Sequence, residues 1–205
     1  MAVVELGRPQ EQRESPWIIP ATQQQLDVFT IPHFPRNDEQ MLLDRFRKTL
    51  DETDERYSRA LVIMRMQPLH FGHIFLMKQA LITSSSLIIG IGSSQTHNED
   101  NPWSAPMRRE RLERTVDALG ITPRIADIVY LPDFEKDDEW VKHAQDSTKL
   151  NRDTDVVVGN NGWVNQIFEE EGFTVRTTPF YHREAYKGKT IREFLRNGRR
   201  FSESC

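Results

Sequence analysis

Arg65, His70 and His73 stand close together in the string Arg65-Met66-Gln67-Pro68-Leu69-His70-Phe71-Gly72-His73. Guanidinium and imidazole groups donate hydrogen bonds to oxyanions, and three such donors aimed at one point suit a polyphosphate that gains charge in a transition state. His70 and His73 are three residues apart, so at the start of a helix they share a face. Gly72, between them, lets a phosphate approach the main chain closely. The alternatives are a metal pair or two packed structural histidines. No Cys, Asp or Glu stands close by as a third ligand. A second concentration of charge lies at residues 183–200, where Arg183, Lys187, Lys189, Arg192, Arg196, Arg199 and Arg200 face only Glu184 and Glu193. That excess fits a polyphosphate or a nucleic-acid backbone, or else a solvated basic helix.

These side chains need a scaffold, and the pattern around them supplies one. Ala60-Leu61-Val62-Ile63-Met64 is a continuous apolar run, as in a strand buried on both faces. Helical spacing follows at Ile74, Phe75, Met77, Ala80 and Leu81. The Arg65–His73 string therefore occupies a strand–loop–helix junction, where free N–H groups and the positive end of a helix dipole already attract anions. Further strands are expected over 87–91, 125–131, 155–158 and 173–177, and further helices from Ser104 to about 119, over 137–149, 161–171 and 190–197. Strand alternating with helix predicts an α/β fold, a Rossmann-like doubly wound parallel sheet with flanking helices and a ligand at the strands' C-terminal ends.

Length and composition agree with one such domain plus an attachment. The chain has 205 residues, 37% hydrophobic and 28% charged, which excludes fibrous, low-complexity and wholly disordered classes. Residues 1–58 read as an N-terminal extension, carrying 7 Lys+Arg against 11 Asp+Glu and five of the 11 prolines. Within it, Asn37-Asp38-Glu39-Gln40 reads as a capping box opening one amphipathic helix, about 37–52. Residues 59–205 are the expected catalytic domain. No apolar run approaches the roughly 18 residues of a membrane span, and the N-terminus lacks a signal-peptide pattern. The single cysteine, Cys205, provides neither a disulfide framework nor a cysteine metal site. The expectation is a soluble cytoplasmic protein with no membrane partner.

The string 65–73 resembles the archaeal type of nicotinamide mononucleotide (NMN) adenylyltransferase, within the His-x-Gly-His nucleotidylyltransferase superfamily. Its family pattern is Gly-Arg-[Phe/Met]-Gln-Pro-x-His-x-Gly-His, with Met64 here in place of the first glycine. Further likenesses follow in chain order: Ile89-Gly90-Ile91-Gly92-Ser93-Ser94-Gln95; Asn101-Pro102-Trp103-Ser104-Ala105 with Arg108 beyond; Asp133-Phe134-Glu135 with Trp140-Val141; Val158-Gly159-Asn160; and Arg183-x-x-Tyr186-x-Gly188-x-x-Ile191-Arg192. The family's closing Ser-Gly-Thr-x-Ile-Arg reads Lys187-Gly188-Lys189-Thr190-Ile191-Arg192 here, so lysines stand where hydroxyls orient phosphate.

The resemblance implies transfer of AMP from ATP to the 5′-phosphate of nicotinamide or nicotinate mononucleotide, releasing pyrophosphate. It implies Arg65, His70, His73 and Arg192 as the catalytic set. Gln67, Pro68, Gly72, Gly159, Asn160, Arg183, Lys187, Lys189, Thr190 and Ile191 would line the ATP side. Asn101, Trp103, Arg108, Asp133, Phe134 and Trp140 would take NMN: Arg108 on its phosphate, Asp133 and Phe134 at the carboxamide, Trp140 stacked on the ring. On residue type alone a core aromatic is the lesser alternative for Trp140. Mg²⁺ is expected on the substrate phosphates with no dedicated protein metal ligands. A homo-oligomer is implied, and no nucleic-acid partner. Two other readings use the same fold: a sister transferase (cytidylyltransferase, or flavin mononucleotide or phosphopantetheine adenylyltransferase), and a non-catalytic nucleotide- or RNA-binding regulator.

Overall fold

The computed structural model describes residues 56–181, 183 and 187–196. The expected helix near 37–52, Tyr186 and the bases at 199 and 200 lie outside the described residues.

The strand–helix alternation is realised throughout. In chain order come β1 (Tyr57–Met64), α1 (Phe71–Thr83), β2 (Ser84–Gly92), α2 (Ala105–Ala118), β3 (Ile125–Leu131), α3 (Asp137–Thr148), β4 (Asp155–Gly159), α4 (Gly162–Glu170), β5 (Val175–Thr177) and α5 (Gly188–Arg196). All strand pairs are parallel, in the order β3-β2-β1-β4-β5.

The period-two geometry of a strand explains why these segments read as unbroken apolar runs. Ala60, Val62 and Met64, Leu87, Ile89 and Ile91, and Val156 and Val158 face one core, shared with Ile74, Met77 and Leu81 of α1 and Leu112 and Val116 of α2. Leu61, Ile88 and Val157 face a second core with Trp140, Val141 and Ala144 of α3 and Ile167 and Phe168 of α4. Helices thus cover both faces.

Element ends differ from expectation where local hydrogen bonds decide them. β1 begins three residues before Ala60, at Tyr57, where it pairs with Ser84 of β2 and the Ser58 N–H donates to the Thr154 carbonyl at 2.8 Å. β5 begins at Val175 rather than Phe173, since the Phe173 N–H instead closes α4 on the Phe168 carbonyl at 3.0 Å and its ring is buried in the second core. α5 starts at Gly188, two residues before Thr190.

The chain winds outward from β1 through β2 to β3 and then crosses to β4 on the other side of β1. The C-terminal ends of β1 and β4, at Met64 and Gly159, therefore flank the switch point at which ligands bind in open parallel sheets.

Candidate active site

The Arg65–His73 string leaves the C-terminal end of β1 and caps α1. His70 occupies the N-cap with extended backbone angles (φ −152°, ψ 173°). Its N–H donates to Nδ1 of His73 at 3.2 Å, and the two rings lie 3.8 Å apart, tilted by 34°. Because His73 Nδ1 accepts, its neutral ring carries the proton on Nε2 and has that nitrogen as its donor. Burial pushes the His70 imidazole down to about 4, against an opposing main-chain hydrogen bond. His73 is held well below the ordinary histidine range, first by burial and then by repulsion from His70. Both rings are neutral near pH 7, and an arriving anion would favour their charged forms. Gly72 makes room for this pair: a Cβ there would lie 3.0 Å from Cε1 and Nδ1 of His70.

Gln67 ties three elements to this junction. Its side chain donates to the Trp103 carbonyl at 2.7 Å and accepts from the Trp103 N–H at 3.1 Å, latching the loop before α2. Its carbonyl accepts from the Arg192 guanidinium at 2.6 Å, which brings α5 onto the same loop. A Cβ at Gly188 would stand 2.7 Å from that carbonyl and 3.3 Å from Arg192 Nη1, so the approach of α5 needs glycine. Arg65, His70, His73 and Arg192 are thus gathered around one loop. Pro68, in the loop, and Ile191, in α5, are buried, and Lys187 and Lys189 are exposed at the start of α5 with Thr190 half-buried. Arg183 lies over the Phe180 ring at 4.0 Å.

Arg108 departs from the role implied by resemblance. It is 1% exposed, and its guanidinium donates to the carbonyls of Arg65 (2.7 Å), Gly92 (2.7 Å) and Ser93 (3.0 Å). Burial and the neighbouring Arg65 lower its pKa, with Asp133 and Tyr130 opposing. In this state it pins the ends of β1 and β2 together rather than facing a substrate phosphate. Asn101 likewise turns inward on its own loop, donating through Nδ2 to Asn98 Oδ1 at 3.0 Å. Trp103 lies half-buried with the Arg111 guanidinium 5.2 Å from its ring centre.

On the other flank, Asp133 and Phe134 are exposed at the end of β3, and Asp133 accepts from Ser93 Oγ at 3.0 Å and Gln95 Nε2 at 3.3 Å. Trp140 does not offer an open face. It is 6% exposed in the second core, edge-on to Phe168 and stacked at 5.9 Å on Trp163. Trp163 is the accessible ring, 53% exposed, with its Nε1 donating to Asp137 at 3.2 Å. Residue type suggested the aromatic but not its burial: both tryptophans sit in the first turn of a helix, and only the packing separates them.

At the end of β4, Gly159 owes its identity to Asn165. The Asn165 Oδ1 occupies the place of a Gly159 Cβ, while its Nδ2 donates to the Gly159 carbonyl at 3.3 Å and to Thr177 Oγ1 at 2.9 Å. Asn160, half-buried, follows at the mouth of the switch point. Sequence reasoning gave no role to Ser93, Trp163 or Asn165. Ser93 and Gln95 lay in a quoted motif, but nothing in their types signals the partners they meet.

The donors gathered here are guanidinium and imidazole groups, and the described residues contain no group of three His, Cys, Asp or Glu placed to hold a metal ion. Such a set fits phosphate oxygens directly and fits a divalent ion only as a guest of those phosphates. Among the described residues no helix is long and apolar enough to cross a membrane.

A doubly wound sheet with this junction at its switch point defines a nucleotidyltransferase class, and the family model for cytidylyltransferase-like domains matches residues 62–194. The chain belongs to that family. Within it, the chain is 37% identical over 145 residues to a nicotinamide-nucleotide adenylyltransferase of Archaeoglobus fulgidus, covering 68% of this chain and 81% of the relative. It is 33% identical over 147 residues to the Thermoplasma volcanium protein of the same name, covering 71% and 80%. Among solved structures, it resembles a bifunctional NMN adenylyltransferase/ADP ribose pyrophosphatase of Francisella tularensis complexed with AMP and a manganese ion. The TM-score is 0.58 at 26% identity, covering 72% of this chain and 45% of that one. This chain thus spans less than half of that bifunctional protein.

Proposed function

We propose that the protein transfers the adenylyl group of ATP to the 5′-phosphate of nicotinamide or nicotinate mononucleotide, giving NAD or its deamido form and pyrophosphate. The observation that carries the reading is the convergence of Arg65, His70, His73 and Arg192 on the loop at the end of β1. The names of the archaeal relatives support the choice of acceptor.

The chemistry asks little covalent work of the protein. An oxygen of the mononucleotide phosphate, already anionic, attacks the α-phosphorus in line. The bond from that phosphorus to the bridging oxygen breaks, and pyrophosphate leaves with the electron pair. Catalysis is positioning together with stabilisation of the charge that moves onto the leaving group. Arg65, with its Nε engaged by Ser93, presents its terminal amines at the strand end. His73 donates from Nε2, and His70 stands beside it at the helix N-terminus, whose dipole also favours the anion. Arg192, docked on Gln67, brings α5 and its lysines over the β- and γ-phosphates. A divalent ion, magnesium in this reading, would be held through the substrate phosphates rather than by a protein cage, and would supply partial neutralisation of their charge. Asp133 and Phe134 face the pyridine substituent, and Trp163, 53% exposed beside Asp137 at the start of α3, offers an accessible aromatic face for its ring. The setting is a cytoplasmic homo-oligomer.

The test uses purified protein with Mg²⁺, ATP or CTP, and four acceptors: nicotinamide mononucleotide, nicotinate mononucleotide, flavin mononucleotide and phosphopantetheine. Pyrophosphate release with ATP and a pyridine mononucleotide alone is the expected result. Preference for CTP, or for either of the other acceptors, replaces this reading by a sister transferase.

A further inference from the structure

We propose that Ser93 is a positioning residue whose hydroxyl couples the phosphate-facing Arg65 of β1 to the acceptor-facing Asp133 after β3. The inference rests on the adenylyl-transfer reading and adds to it a residue that joins the two substrate sides.

The geometry fixes the direction of the coupling. Arg65 Nε lies 2.9 Å from Ser93 Oγ, and Ser93 Oγ lies 3.0 Å from Asp133 Oδ1. A guanidinium can only donate, so the hydroxyl oxygen accepts from Arg65 and its hydrogen goes to the carboxylate. Among the described residues this is the only hydrogen bond of the Arg65 side chain, and it engages Nε, leaving the two terminal amines for an oxyanion. Asp133 is gripped from the far side by Gln95, which donates through Nε2 at 3.3 Å and accepts the Asp133 N–H at 3.0 Å. A direct ion pair between Arg65 and Asp133 would turn the guanidinium away from phosphate. A hydroxyl between them keeps both charges in place and polarises one through the other.

The backbone gives an independent sign that the side chain matters. Ser93 has φ 48°, in the left-handed region where a Cβ is disfavoured and glycine is at ease. It is 4% exposed, and its carbonyl is held by Arg108 at 3.0 Å. Glycine would suit this main chain better, yet serine occupies it, and the observed strain points to a function for the hydroxyl.

That contrast defines the experiment. Ser93→Gly relieves the main chain and removes the hydroxyl, whereas Ser93→Ala removes the hydroxyl and keeps the strain. Both are measured for thermal melting and for kcat/KM in NAD formation, alone and combined with Arg65→Ala. Ser93→Gly should melt at or above the parent temperature yet lose roughly 10- to 100-fold in kcat/KM, the scale of a lost hydrogen bond to a charged group. In the Arg65→Ala background it should cost no more than about 2-fold, because the coupling to Arg65 is already broken and Asp133 is still held by Gln95. Should Ser93→Gly fail to fold, Ser93→Ala carries the same comparison. An active parent whose Ser93 variants keep full turnover, or lose the same factor with and without Arg65, overturns the coupling alone. A parent that forms no dinucleotide overturns the adenylyl-transfer reading and the coupling with it.

Discussion

Arg108→Met separates a buried clamp from a phosphate ligand. The change keeps the apolar stem and deletes the donors to the carbonyls of Arg65, Gly92 and Ser93, all within 3.0 Å. A hydrogen bond to a charged group contributes about 1.5–3 kcal/mol. Three do not add fully, since they share one guanidinium, and removing the cation also relieves its own desolvation. The net loss should be roughly 3–5 kcal/mol, and at about 2–4 °C per kcal/mol for a domain of this size that is a fall of about 6–20 °C in Tm. Turnover should fall as well, with the ATP and mononucleotide KM values rising together, because Arg65 and Ser93 lose the contact that sets their main chain. The assay is differential scanning calorimetry beside steady-state kinetics with each substrate varied. A variant that melts with the parent and raises only the mononucleotide KM would refute the clamp and restore the phosphate role implied by resemblance.

Gly188→Ala should raise the ATP KM by roughly 10-fold, since its Cβ would push α5 off the Gln67 carbonyl and weaken the Arg192 contact; an unchanged KM with ATP varied would contradict that docking. Trp140→Ala should cost about 3–5 kcal/mol in a denaturant titration as a core deletion, whereas Trp163→Ala should cost under about 1 kcal/mol and raise the mononucleotide KM. The reverse pattern would return the stacking role to Trp140. His70 should make the fold sensitive to acid. Its pKa is lowered in the folded state to about 4, so between pH 6.5 and 4 the unfolded chain binds more protons and stability falls as pH falls. About 1.5 kcal/mol should be lost between pH 6.5 and 5.0, seen as a Tm decrease that His70→Gln reduces; an equal decrease in that variant would place the titration elsewhere.

What the sequence made legible follows from what its patterns encode. The apolar runs at 60–64, 87–91 and 155–158 revealed a doubly buried sheet because both faces of those strands lie under helices, which is also why the two cores divide along alternate residues. Ser104 and Asn161 marked helix starts, and both stand at N-caps. The Arg65–His73 junction could be read because its residues are local in sequence. Contacts between distant segments could not: Gln67 meets Trp103 and Arg192, Ser93 meets Asp133, and nothing in any of these segments names its partner. Burial was equally hidden for Arg108 and Trp140. An arginine in a run with Arg109, Arg111 and Arg114 gives no sign of turning inward, and a tryptophan in the first turn of α3 can face either core or cleft.

Attack of the mononucleotide phosphate on the α-phosphorus of ATP can be followed by the fate of a label on that atom. Purified protein is incubated with nicotinamide mononucleotide, Mg²⁺ and ATP labelled with ³²P at either the α- or the γ-position, and the products are separated. The α-label is expected in NAD and the γ-label in pyrophosphate, in equal amounts, and His70→Ala with His73→Ala should lower both together by roughly 100-fold or more. Label from the α-position that stays in ATP or emerges only as free AMP, or γ-label transferred to the mononucleotide, would contradict it.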